Sequence, residues 1–377
     1  MISGVAAVRG NYRGELSLPM EDERKQGEMR QKAPKVPTNV WKDLYLAAEK
    51  FNILQPWNVL DDIDLVCARD PRSRETGCGV VMGSGGSVFG FCLYRGDEGF
   101  DVYRRTIEGE VEPEADDLFA MQNCLLLEFG PRKDMTPEDL AILKELGLTF
   151  RGKNAWPQFR SMLPGYAPWF LTEDEARFLT LGINAACLHF ERLIRREVVE
   201  SFRENECLVY TAAEEAPGEF TSGWEPLPVY ERKRPLPPIL NLAAIDAIKR
   251  KKLKPDTGWE ADVFFMPMPI MDRERPYYVR TAVVCQRQSG FVFDMETAPP
   301  ETAQHQLLAD VVCSAVGKSG LKPESISVRK GEYVDALAPL GNVLGIALRS
   351  RGRLDAVEEM KNEMLDFMMN QGVGGRR

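Results

Sequence analysis

The chain has 377 residues, 44% hydrophobic and 28% charged, enough apolar side chains for two cores of ordinary size, which sets aside a disordered or fibrous protein. A formal net charge of −9 argues against overall affinity for nucleic-acid phosphates or an anionic membrane, both of which draw on clustered Lys and Arg. No run approaches the ~20 apolar residues that span a bilayer, the first residues lack the basic start of a secretory leader, and the eight cysteines form no C-x-x-C pair. A cytoplasmic protein with buried free thiols is the expectation.

Residues 1–37 are rich in charge, Gly and Pro and are expected to form a disordered tail. From Thr38, the spacing of Trp41, Leu44, Tyr45, Ala48 and Phe51 predicts a helix, closed by Pro56-Trp57. Strands are expected at Ile63–Ala68, Cys78–Met82, Val88–Tyr94 and Asn123–Phe129, the second and third joined by a hairpin turn at Gly83-Ser-Gly-Gly86. Thr136-Pro137 signals a helix start, with a stop at Gly147, and Thr172-Glu-Asp-Glu175 is a capping box opening a long helix. These elements make an α+β domain over residues 38–205. Six prolines between Pro217 and Pro238 mark 206–258 as a proline-rich, basic linker, with one short helix near Leu242–Lys252.

Over 259–377 the pattern is βββαβαβα, a mixed α/β domain whose order of elements is that of ribonuclease H-like folds. Pro267 and Pro269 stand against it, because they remove ladder donors from a strand that such a fold places centrally, so that strand either stops by Met266 or lies at an edge.

Three stretches carry a resemblance. The first is Trp41-Lys-Asp-Leu-Tyr45 leading to Pro56-Trp57 and Asp62-Ile-Asp64. The second is Val80-Val-Met-Gly83 with Tyr94-Arg-Gly96 and Glu98-Gly99. The third is Phe150-Arg-Gly-Lys-Asn-Ala-Trp-Pro-Gln-Phe-Arg160 followed by Pro164-Gly-Tyr-Ala-Pro-Trp-Phe-Leu171. Together they resemble a family of uncharacterised bacterial proteins known as a domain of unknown function, and residues after about 260 are similar to its companion domain. The resemblance implies the domain boundary and no activity.

The motifs of common chemistries are missing. Gly83–Ser87 leads into a strand, whereas a phosphate loop leads into a helix. Gly317-Lys318-Ser319 lacks the earlier glycine of a Walker A loop and reads as a helix end. Only His189 and His305 exist, and Cys187 and His189 lie two apart on a helix, facing different ways.

The block Phe150–Phe170 interleaves Arg151, Lys153, Asn154 and Arg160 with Trp156, Tyr166 and Trp169, a composition that suits base stacking with phosphate contacts or a protein-binding hot spot. Its structural reading is a proline-pinned loop packed under the long helix. Asp62 and Asp64, at a strand entry, offer oxygen ligands to Mg²⁺. Asp262, Asp294 and Glu296 are the acids a metal-dependent nuclease would use. Arg232-Lys-Arg234 and Lys249-Arg-Lys-Lys252 give the linker a basic stripe through which nucleic acid could bind. Met360, Met364, Phe367 and Met368 form an adaptable stripe on the last helix.

The leading expectation is a non-catalytic binding or adaptor protein with a protein partner, no cofactor and no membrane. A metal-dependent nuclease using Mg²⁺ is the first alternative and a small-molecule sensor the second.

Overall fold

The computed structural model describes residues 33–110, 121–198, 200, 202–203, 205–213, 218–231 and 236–373. Most of the expected N-terminal tail and the basic Arg232–Arg234 segment lie outside the described residues. The chain divides into two compact units, one reaching to Glu231 and including 271–276, the other made of 232–270 and 277–377. Among the described residues no helix is long and apolar enough to cross a membrane.

The first unit runs α1 (Thr38–Leu54), β1 (Leu65–Arg69), β2 (Thr76–Met82), β3 (Phe89–Arg95), α2 (Gly96–Ile107), β4 (Cys124–Gly130), α3 (Pro137–Leu146), β5 (Trp156–Met162), α4 (Glu173–Ile194), β6 (Phe202–Arg203), β7 (Glu206–Ala212) and β8 (Phe220–Pro226). Its eight strands form one sheet in the order β5-β4-β3-β2-β1-β7-β6, with β8 also on β7. Neighbours from β5 to β1 are antiparallel, and β1 pairs with β7 in parallel, Cys67 opposite Val209. The turn at Gly83–Gly86 is the hairpin the sequence predicts, closed by Gly86 N–H to Gly83 O at 2.9 Å.

Alternation along each strand separates two faces. Val66, Ala68, Val81, Phe91, Leu93, Leu125, Leu127, Leu208 and Tyr210 face α1 and α4. Full burial of each such large side chain stabilises the fold by about 1.5–3 kcal/mol. The opposite face carries Cys67, Cys78, Val80, Met82, Cys92, Tyr94, Cys124, Met162 and Cys207, packed with Phe100 and Tyr103 of α2.

Both helix starts signalled in the sequence are capping boxes, Thr136 with Asp139 and Thr172 with Glu175. One element was not foreseen and two expectations are corrected. Helix α2 is hidden by Gly96 and Gly99, yet Gly99 is needed: a Cβ there would sit 2.4 Å from the Asn123 carbonyl oxygen. The stretch expected as a loop near Trp156 is the edge strand β5, whose Pro157 is tolerated because β4 is its only strand neighbour and the bridge to Trp169 on the other side is at Ser161. The segment expected as a linker contains β7 and β8, so the first unit extends past 205; strand β7 lies inside the sheet and prolines cluster only after it.

The second unit runs α5 (Leu242–Arg250), β9 (Lys254–Asp256), β10 (Trp259–Ile270), β11 (Tyr277–Gln286), β12 (Val292–Ala298), α6 (Gln304–Ser319), β13 (Leu321–Pro323), β14 (Ser325–Val328), α7 (Gly331–Leu344), β15 (Ala347–Ser350) and α8 (Asp355–Val373). The sheet order is β12-β11-β10-β14-β15; β10 is antiparallel to β11 and parallel to β14, which is parallel to β15. Helices α5, α6 and α7 contribute to the core on one face, and α8 packs on the other. The glycine that ends α6 is Gly320, in left-handed conformation, and Gly317 lies within the helix.

Strand β10 is central and continues to Ile270, past both prolines. Its pairing with β14 spans only Trp259–Ala261, and the register with β11 shifts between Phe265 and Pro269. Pro267 falls in that irregularity, and beyond Ala261 β14 no longer asks for donors.

Candidate functional site

Folding draws most of the aromatic–cationic block inward. Trp156, Phe159, Trp169 and Phe170 are buried. Arg160 grips Asp139 with both nitrogens, Nη1 to Oδ1 at 3.0 Å and Nη2 to Oδ2 at 2.7 Å, and lies over the Phe170 ring. Trp169 holds Ser161 through two backbone hydrogen bonds, and Tyr166 is half-buried. Of the candidate binding residues only Arg151, Lys153 and Asn154 stand exposed, so no stacking platform of Trp156, Trp169 and Arg160 faces solvent. The mixture of rings and cations arises here from a buried ion pair beneath a helix cap.

Asp62 and Asp64 do not sit in a strand, which begins at Leu65, so alternation does not bring them to one side. They shape a turn: Asp64 Oδ2 accepts the Asp61 amide at 2.8 Å, and Asp61 Oδ1 accepts the Asp62 amide and the Ser84 hydroxyl at 2.7 and 2.6 Å. Those hydrogen bonds hold the Asp61 carboxyl below its usual range, Ser84 contributing most.

In the second unit the register separates the acids. Asp262 pairs with Val283, on the α8 face, whereas Asp294 and Glu296 pair with Val284 and Ala282, on the opposite face. Asp262 is buried and accepts from Arg329 Nε at 2.7 Å, and Arg329 also bonds Glu358 of α8. Burial raises the Asp262 carboxyl despite Arg329, and Asp262 raises the guanidinium in turn. Across the sheet, Lys318 Nζ meets both Asp294 oxygens at 2.9 and 2.8 Å. Burial of Asp294 is outweighed by Lys318 and the Ser314 hydroxyl, which lower its pKa. Asp262 and Asp294 therefore do not converge on an ion. Glu260, the other acid of β10, is buried and accepts the Ala356 amide at 2.9 Å, which places its carboxylate at the start of α8.

Two features escaped the sequence reading. One is a thiol cluster. Cys67 and Cys78 are opposed across β1 and β2, and Cys207, two residues before the partner of Cys67 on β7, shares their face. The three Sγ atoms lie within 4.8 Å of one another, all buried, and Cys67 Sγ is 2.7 Å from Cys78 Sγ. Among the described residues this is the one group of three potential metal-ligating side chains so close together. Hydrogen bonds from Cys67 and Cys78 draw the Cys207 thiol down to about 4, while hydrogen bonding with Cys207 pushes both partners well above the ordinary thiol value. Sequence separations of 11 and 129 residues gave no spacing signal.

The other is the β12 edge of the second sheet, whose opposite edge is β15. Helix α8 packs over β10 and β11, leaving β12 uncovered on that face. Val292 and Met295, which continue the apolar face of Cys285 and Val283, are 37% and 46% exposed, and Phe291 beside them is 62% exposed. On α8, Met360 and Met364 pack against the core, Phe367 is exposed, and the Met368 side chain lies outside the described residues. The Lys249–Lys252 run ends α5, whose Ile245 and Ile248 anchor it in the second core.

Residues 41–210 match the family model described as Domain of unknown function (DUF7309), and residues 244–365 match the one described as Domain of unknown function (DUF6930). A search of curated proteins finds no match.

Proposed function

We propose that this chain, in which a DUF7309 domain is followed by a DUF6930 domain, is a non-catalytic cytoplasmic binding protein whose second unit receives a protein partner along β12. The observation that carries the reading is the sheet edge: β12 has one strand neighbour, and Phe291, Val292 and Met295 expose apolar surface along the side that no second strand covers, where the Met295 amide is held by Asp294 Oδ1 at 3.1 Å. An edge of this kind invites an added strand, with main-chain hydrogen bonds giving affinity and side chains giving selectivity.

The order and directions of the five strands support a ribonuclease H-like topology for the second unit. Its acids weigh against nuclease chemistry, since Asp262 and Asp294 lie on opposite faces and each is engaged by a cation of the same unit. Two-metal cleavage needs carboxylates gathered on one side.

The test compares the full-length protein with Phe291→Glu/Met295→Glu in affinity capture from its own cells. Proteins retained by the parent are expected to be lost by the variant, with melting temperatures alike. Recovery of the same set by both sinks the reading. Cleavage of RNA, DNA or hybrid in Mg²⁺ that disappears with Asp262→Asn would replace it with the nuclease.

A further inference from the structure

We infer that Cys67, Cys78 and Cys207 form a metal site, taking one soft divalent d¹⁰ cation, Zn²⁺ in the first instance, as a tris-thiolate complex buried in the sheet of the first unit.

The placement comes from backbone register. Three adjacent strands, β2, β1 and β7, each contribute one cysteine to the same face, and the Sγ atoms fall within 4.8 Å of one another. For metal–sulfur bonds of about 2.3 Å, three ligands around one ion are separated by roughly 4 Å. Cys67 Sγ and Cys78 Sγ, 2.7 Å apart, would have to open by about 1 Å to receive the ion, a change within reach of side-chain rotation.

The surroundings favour a soft ion. Five cysteines of the first unit, Cys67, Cys78, Cys92, Cys124 and Cys207, share this face with Met82 and Met162, whereas Cys187 lies on the other. Thiolates select Zn²⁺, Cu⁺ and iron–sulfur species over Mg²⁺ and Ca²⁺, which require oxygen. His189 cannot join, because it faces the opposite core and its Nδ1 is 2.9 Å from the Tyr210 hydroxyl.

Charge selects among soft ions. Three thiolates around a divalent ion leave one net negative charge, and around a monovalent ion two. Burying the larger charge costs more. The nearby Arg69 guanidinium is already held by both oxygens of Glu225, at 2.8 and 2.6 Å. Binding forms three metal–sulfur bonds, and any protons on the sulfurs leave to solvent. The fourth position of a tetrahedral zinc site is left to a small exogenous ligand.

The competing account is that these cysteines are small apolar side chains filling a sheet. The two are separated with reduced, metal-depleted full-length protein titrated with Zn²⁺ against a chromogenic chelator. One ion per chain is expected. Cys67→Ser, Cys78→Ser and Cys207→Ser should each weaken binding by about 100-fold or more, and Cys187→Ser should leave it unchanged. Should the serine variants fail to fold, the parent loaded with Co²⁺ still decides: a near-ultraviolet sulfur-to-cobalt absorption of three-thiolate intensity supports the site. Absence of that band, equal loss with Cys187→Ser, or no stoichiometric binding overturns it. Uptake of Cu⁺ without Zn²⁺ overturns the divalent assignment.

Discussion

Asp139 serves two elements with one carboxylate: Oδ2 accepts the Thr136 amide and hydroxyl at the start of α3, while both oxygens receive Arg160 from β5. The pair is almost wholly enclosed, with side-chain exposures of 14% and 6%. Loss of Asp139 therefore strips a cap and strands a buried cation together. Asp139→Ala is expected to cost about 3–5 kcal/mol in chemical denaturation. Arg160→Met/Asp139→Ala should recover part of that, because no unpaired charge remains.

The same logic applies on the other sheet. Arg329 holds Asp262 and Glu358 across the α8 face. Arg329→Met leaves Asp262 buried beside an apolar side chain and is expected to destabilise the protein by about 3 kcal/mol at pH 7. Adding Asp262→Leu should return most of the loss, measured as a double-mutant cycle.

His189 gives a pH dependence with a defined sign. Burial, helped by Arg192, lowers its pKa from 6.5 to about 4. The unfolded chain then binds the proton first as pH falls, so stability decreases between roughly pH 6.5 and 4 and is unaffected above that window. The group contributes about 3 kcal/mol to the change. Stability curves of His189→Gln should lack that component; an identical slope in both proteins refutes the assignment.

Gly90 marks a close backbone approach. A Cβ there would stand 2.0 Å from the Leu127 carbonyl oxygen across β3 and β4. Gly90→Ala is expected to cost about 3 kcal/mol or more, read from the denaturation midpoint, since a strand and not a flexible side chain would have to move.

What the sequence discloses follows the range of the interaction. The helix start at Thr136-Pro137 and the capping box at Thr172 span three residues or fewer and were legible, as was the hairpin at Gly83–Gly86. Helix α2 was obscured because Gly99 serves contact with Asn123, against local propensity. Strand β5 carries Pro157, which reads as a loop until the edge position is known. The thiol triangle depends on β7 returning beside β1, and the opposition of Asp262 and Asp294 depends on register through β11. Local chemistry cannot encode either. The Phe150–Phe170 block misled for a related reason: the cations and rings that would build a recognition surface build the inside of a fold equally well.

The parallel pairing of Cys67 with Val209 also sets a folding order. The meander β1 to β5 can zip from neighbouring segments, but β7 joins only after the intervening chain has been threaded and compacted, a closure whose entropic cost delays it. During synthesis the outer side of β1 therefore waits as an unprotected edge until residue 212 has left the ribosome. An open strand edge of this kind is a template on which another chain can pair during that interval.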